Sequence, residues 1–278
     1  MQHLNTSTLA VIVMGLATVS LSGCPSSAPV FIADTDRQKG LPGDPDELVR
    51  AADALLAGKH SEKAPELRKT DRGLAALERA LERGYKRSFE VYWRLSRACF
   101  LMTEGVENEN QRHVYARRGV EYAQQALQRD ARRVEGHYFM ALNTAKVAES
   151  TANVKLMKSI VDSAKRAAKI DERYDDAGPL RVLGKVYITA PAWPVSVGAP
   201  EKAVEVLTRA VSIASVPINR IFLAEALYHD EEYEQAEQLL RAALRDSRSN
   251  QLDERWRKEA EDYLKRIGTG STTDPRNL

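Results

Sequence analysis

Cysteine is nearly absent from this chain. Only Cys24 and Cys99 occur among 278 residues, so no disulfide framework and no cysteine-rich metal centre is available. Aromatic residues make up only 6%, and 41 basic residues nearly cancel 39 acidic ones. A balanced chain of this kind carries no overall field to gather nucleic acid. Runs of alternating Val, Ile and Thr are missing too, which removes the usual signature of strands.

The familiar catalytic signatures are missing as well. His3, His60, His113, His137 and His229 have no metal-ligand spacing and no cysteine nearby. No P-loop, G-x-S-x-G or G-x-G-x-x-G occurs, and Gly268-Thr269-Gly270-Ser271 follows no strand. Carboxylates alternate with Lys and Arg, the pattern of solvated helix faces. Lys155, Lys158, Lys165, Arg166 and Lys169 form one such polar face. The reading is a non-enzyme without cofactor or metal.

What is present is helix-forming sequence, rich in Ala, Leu, Glu and Arg. Leu9 to Leu21 is an apolar run of signal-peptide length, too short to span a bilayer. No Lys or Arg precedes it, only His3 and the N-terminal amine. It leads into Leu21-Ser22-Gly23-Cys24, which resembles the bacterial lipobox and implies lipidation at Cys24. The expected division is a lipoprotein signal peptide over 1–23, a flexible tether over 24–44, a helical domain over 45–268 and a disordered tail over 269–278. Asp44, Asp46 and Glu47 read as charges favoured by a helix N-terminus, without the rest of a calcium-loop pattern. Cys99 reads as an inert core thiol.

Apolar periodicity predicts about eleven helices. Small or apolar residues recur four and then three apart at Gly119/Ala123/Ala126, Ile160/Ala164/Ala167, Ala203/Leu207/Ala210 and Ala236/Leu240/Ala243. The last three sets follow helices with a matching apolar face, and the sets recur at tetratricopeptide-like intervals. The fold class expected is therefore all-α, a tetratricopeptide-like α-solenoid of helical hairpins.

One stretch departs from this regularity. Ala190 to Gly198 joins two helices through an apolar segment, APAWPVSVG, where short polar connections are the rule. Such a segment packs on the core, on a partner or on a ligand. Tyr174, Arg181, Tyr187 and Trp193 lie close to it in sequence. Arg181 would supply a fixed cation for a carboxylate, and Tyr187 and Trp193 apolar walls with polar edges.

The run DDAGPLRVLGKVYITAPAWPVSVGAPEKAV from Asp175 resembles the T-component of TRAP-type transport systems. The Cys24 lipobox, the GVEYAQQAL run from Gly119 and YFMALNTAKVA from Tyr138 add to the likeness. The residues that carry the motif are Gly178, Pro179, Arg181, Leu183, Gly184, Tyr187, Pro191, Trp193, Pro194 and Gly198. The resemblance implies a periplasmic lipoprotein, lipid-anchored and assembled as a homotrimer. It implies a periplasmic solute-binding protein as partner and a small apolar or amphipathic organic acid as ligand. Pro25 stands where an inner-membrane retention signal would place Asp, which points to the outer membrane and leaves the inner one open. The alternative is a tetratricopeptide scaffold lipoprotein for protein–protein assembly in the cell envelope, without a small-molecule ligand.

Overall fold

The periodic apolar positions become eleven α-helices in the computed structural model, which describes residues 37–57, 64–192, 194–246 and 252–269. In chain order these are α1 (Pro45–Leu56), α2 (Ala64–Glu82), α3 (Ser88–Gly105), α4 (Glu109–Arg129), α5 (Val134–Thr151) and α6 (Met157–Ile170). They continue with α7 (Tyr174–Thr189), α8 (Pro200–Ile213), α9 (Pro217–His229), α10 (Tyr233–Arg245) and α11 (Glu254–Gly268). The all-α solenoid is the fold. Cys24 and the leader, the early tether and the tail from residue 270 lie outside the described residues.

Local chemistry sets the helix starts. Asp44 caps α1, its side chain accepting from the Glu47 N–H at 3.0 Å, and Asn108 does the same for α4 through Gln111. The Asp44 side chain is thus a helix cap. Pro45, Pro200 and Pro217 open α1, α8 and α9, where a missing N–H costs nothing.

Antiparallel hairpins result: α1/α2, α3/α4, α5/α6, α7/α8 and α9/α10. The first helices of successive hairpins also touch one another, α3 with α5, α5 with α7 and α7 with α9. That row therefore lies on the inner side of the curve. Small residues let the hairpins close. A Cβ on Gly119 would stand 2.1 Å from Asn143 Oδ1, and one on Gly184 would stand 2.4 Å from Leu207 Cγ. The repeated triplets are the contact stripes: Ala123, Ala126, Ala164, Ala167, Ala203, Leu207, Ala210, Ala236, Leu240 and Ala243 have no exposed surface.

The apolar interior comes in two parts, one from α1 to α3 and one from α5 to α11. A buried polar node lies between them. Ser96 Oγ donates to the Gly119 carbonyl at 2.8 Å, and Asn143 Nδ2 donates to the Ser96 carbonyl at 3.0 Å. Cys99 sits in the first core, and burial pushes its thiol up to about 12. The basic cluster on α6 is exposed along its length, as a polar face requires.

Candidate functional site

The start of α7 is irregular. Asp175, Asp176 and Ala177 all take left-handed backbone angles, with φ of 51°, 51° and 66°. Non-glycine residues there cost about 1–2 kcal/mol each. A dense set of bonds holds the turn: Tyr138 donates to Asp175 Oδ2 at 2.6 Å, and Arg181 Nη2 reaches the same oxygen at 2.8 Å. Arg181 Nη1 donates to the Asp176 carbonyl at 2.7 Å and to Asn219 Oδ1 at 3.0 Å. Burial, then the Asp175 carboxylate, pushes the Tyr138 phenol well above its ordinary value. Regular helix begins only at Gly178-Pro179. Gly178 is required there, because a Cβ would lie 2.5 Å from the Tyr138 oxygen.

Arg181 is therefore a strut of the fold. Its guanidinium is already matched by Asp175, so it does not stand ready for an incoming carboxylate. Tyr187 is 7% exposed and belongs to the core, where its carbonyl accepts from Ala199 N at 3.0 Å. Tyr174 is half-buried on the opposite end of α7, edge-on to Tyr138 at 5.3 Å. Trp193 lies outside the described residues. Tyr174 and Tyr187 thus stand at the two ends of one helix. Open depressions of about 480 and 450 Å³ lie elsewhere, and neither is lined by Tyr174, Arg181 or Tyr187.

The connection after α7 is tied back on itself. Gly198 N donates to the Pro191 carbonyl at 2.9 Å, and Val195 N donates to the Ala192 carbonyl at 3.0 Å. Gly198 is needed for this closure, since a Cβ would meet the Ala190 carbonyl oxygen at 2.1 Å. Val197 packs on the core, while Pro194 and Val195 face outward, Val195 with 72% of its surface exposed.

The inner row carries the richer surface. On α3, Trp93 stacks on Phe139 of α5 at 6.1 Å and lies beneath the Arg94 guanidinium. Arg94 crosses to Asp53 of α1 at 2.8 Å and also holds Glu90. Further along, Glu104 of α3 sits between Lys146 of α5 and Arg255 of α11. Lys185 of α7 sits between Glu225 of α9, at 2.7 Å, and Glu259 of α11, at 3.2 Å. Burial raises the Glu104 carboxyl, but the two cations outweigh it and hold the group at about 2. Glu259 goes the other way: burial, with Glu225 adding to it, raises its carboxyl despite Lys185.

Comparison with known proteins supports the helical-repeat reading. A crystal structure of a thermophilic TPR protein from Thermus thermophilus superposes with a TM-score of 0.59 at 18% identity. The likeness covers 79% of this chain and 98% of that one. The solenoid is of the tetratricopeptide kind. The family model described as Regulator of microtubule dynamics protein 1-3 matches residues 48–185, from α1 into α7. No curated protein matches the chain.

The family match overturns the TRAP T-component resemblance, since this is a different family. The motif has a physical explanation of its own. Gly178, Gly184 and Gly198 are close-approach positions of a helical hairpin, Leu183 is core, and Pro179 sits in the first turn of regular helix. Packing of a lengthened tetratricopeptide hairpin is enough to account for them. Sequence reasoning missed the inner-row ion pairs, because nothing in helical periodicity tells which exposed charge meets which helix.

Proposed function

We propose that this chain is a helical-repeat scaffold that binds another protein along its inner row, without a small-molecule ligand. The observation that carries the reading is the band formed by Trp93, Arg94, Leu142 and Tyr174 on α3, α5 and α7, with Phe139 buried beneath it. It combines aromatic surface with fixed charges, the composition of residues that anchor protein interfaces. The tetratricopeptide fold supports a scaffold over a catalyst. The matched family is named for regulating microtubule dynamics, which is in keeping with a protein partner. The apolar run before Cys24 supports a scaffold tethered to a membrane by lipid, and a scaffold needs no more than that from its leader.

Site-specific photo-crosslinking in the native cell tests this. A photoreactive residue at Leu142 or Tyr174, on the inner row, should give a discrete protein adduct. The same residue at Lys158, on the polar face of α6, should give none. The reading fails if the inner positions give no adduct or if Lys158 gives the same one.

A further inference from the structure

The last helix does more than continue the row beside α9 and α10. A regular next repeat would set α11 beside α9 and leave α3 three helix spacings further off, at about 8–10 Å each. Instead Arg255 bonds Glu104 on α3, across 151 residues of sequence. One turn later Glu259 bonds Lys185 on α7. Between them Trp256 meets Phe222 of α9 edge-on at 4.8 Å, and, a turn beyond Glu259, Tyr263 meets Tyr228 of the same helix at 5.0 Å. Ala260 is fully buried and Tyr263 is 6% exposed. Helix α11 therefore packs on α10 and α9 and spans the groove, its side chains reaching α7 and α3.

Each of its ties enters a pair that already exists without it. Glu104 keeps Lys146 at 2.7 Å, and Glu225 keeps both carboxylate oxygens on Lys185 at 2.7 Å. Removing α11 would leave these two pairs intact across α3, α5, α7 and α9. The seat is thus pre-organised and charge-patterned, with an anion at one position and a cation at the next, flanked by Phe222 and Tyr228. We infer that this seat is a docking surface for an amphipathic helix of a partner protein, and that α11 occupies it until such a helix replaces it. The partner helix presents a cation and an aromatic side by side, an anion four residues after the cation, a small residue next, and a second aromatic eight after the cation. That is the pattern Arg255, Trp256, Glu259, Ala260 and Tyr263 display. The inference rests on the scaffold reading above and gives it a ligand chemistry.

A fluorescein-labelled peptide of residues 252–269 is the probe, added to the full chain. Wild type, with its own helix seated, should bind it at least tenfold more weakly than a chain unseated by Trp256→Ala and Tyr263→Ala. Adding Glu104→Arg to the unseated chain should abolish binding, and a peptide carrying Arg255→Glu should restore it. Circular dichroism confirms that the remaining helices are folded. No binding to a folded, unseated chain overturns the inference, and so does equal binding to both chains that ignores the charge swap. Should the double variant not fold, hydrogen exchange on wild type decides: excess isotope-labelled peptide should speed exchange of the chain's own Glu254–Gly268, and unchanged exchange overturns the proposal. In every such failure the photo-crosslinked adduct at Leu142 would still stand or fall by itself.

Discussion

Two charge triads tie α11 to the inner row, and they are built with opposite stoichiometry. At one, a single carboxylate, Glu104, faces two cations, Lys146 and Arg255. At the other, a single cation, Lys185, faces two carboxylates, Glu225 and Glu259. The first triad over-satisfies its central group, so the Glu104 carboxyl falls to about 2 against burial. At the second, burial and then the neighbouring Glu225 carboxylate outweigh the shared ammonium, so Glu259 rises. Geometry that looks alike in a list of ion pairs therefore has opposite consequences for stability and for pH. What matters is the charge count within reach of each buried group.

The comparison is broken most violently at Lys185. Glu225 has only 5% of its side chain exposed and takes both of its oxygens to this ammonium. Lys185→Met would strand that carboxylate beside Glu259. The expected loss is about 3–5 kcal/mol by chemical denaturation, the range for an orphaned buried charge. A loss below about 1 kcal/mol would mean that water reaches Glu225 and that the two triads do not differ as described.

Glu104→Gln comes next, at about 1–3 kcal/mol, because it removes two ion pairs but leaves Lys146 and Arg255 able to find solvent. Its pH signature is more telling than its size. A carboxyl held below its ordinary 4.5 gives stability that is fully present above that value. The contribution fades as pH falls from about 4.5 through about 2. Wild type should lose stability across that window, and Glu104→Gln should lose less. Parallel acid limbs for the two proteins would show that Glu104 is not held down.

Glu259→Gln sharpens the contrast from the other side. Its folded-state pKa is raised, so the ionised form is a net cost above that pKa and the cost fades as pH falls through it. At neutral pH the variant should stay within about 1 kcal/mol of wild type, since a lost bond to Lys185 and a relieved repulsion with Glu225 oppose each other. Thermal melts at pH 7 and pH 5 measure it. A destabilisation as large as that of Glu104→Gln would end the distinction between the triads.

The hairpins were legible in the sequence because their information is local. Gly119, Ala123 and Ala126 announce a helix face that must be approached closely, and Asn143 does approach Gly119. The start of α7 was half legible. Gly178-Pro179 marks where regular helix begins, but nothing before it reveals that Asp175 to Ala177 would turn left-handed around Tyr138. Arg181 looked like a free cation because its partners, Asp175 and Asn219, are fixed only once that turn exists. The return of α11 to α3 could not be read at all. Glu104 ends an apolar run and Arg255 is one of many charges in its stretch, 151 residues away, and no periodicity relates them.

The smallest effect is expected where a pair of the same chemistry lies outside the groove. Lys158 and Asp162 are one turn apart on α6, with Nζ and Oδ2 at 2.9 Å, a tighter distance than the 3.2 Å between Lys185 and Glu259. Yet their side chains are 79% and 53% exposed. Water screens the attraction, and ordering two long side chains opposes it. Lys158→Ala should therefore change stability by no more than about 0.5 kcal/mol, and the change should shrink further in about 1 M salt, where screening is nearly complete. Distance alone would rank this pair above the tie that seats α11. Equal losses from Lys158→Ala and Lys185→Met in the same denaturation series would mean that distance does decide, and that the buried triads hold no special place in this fold.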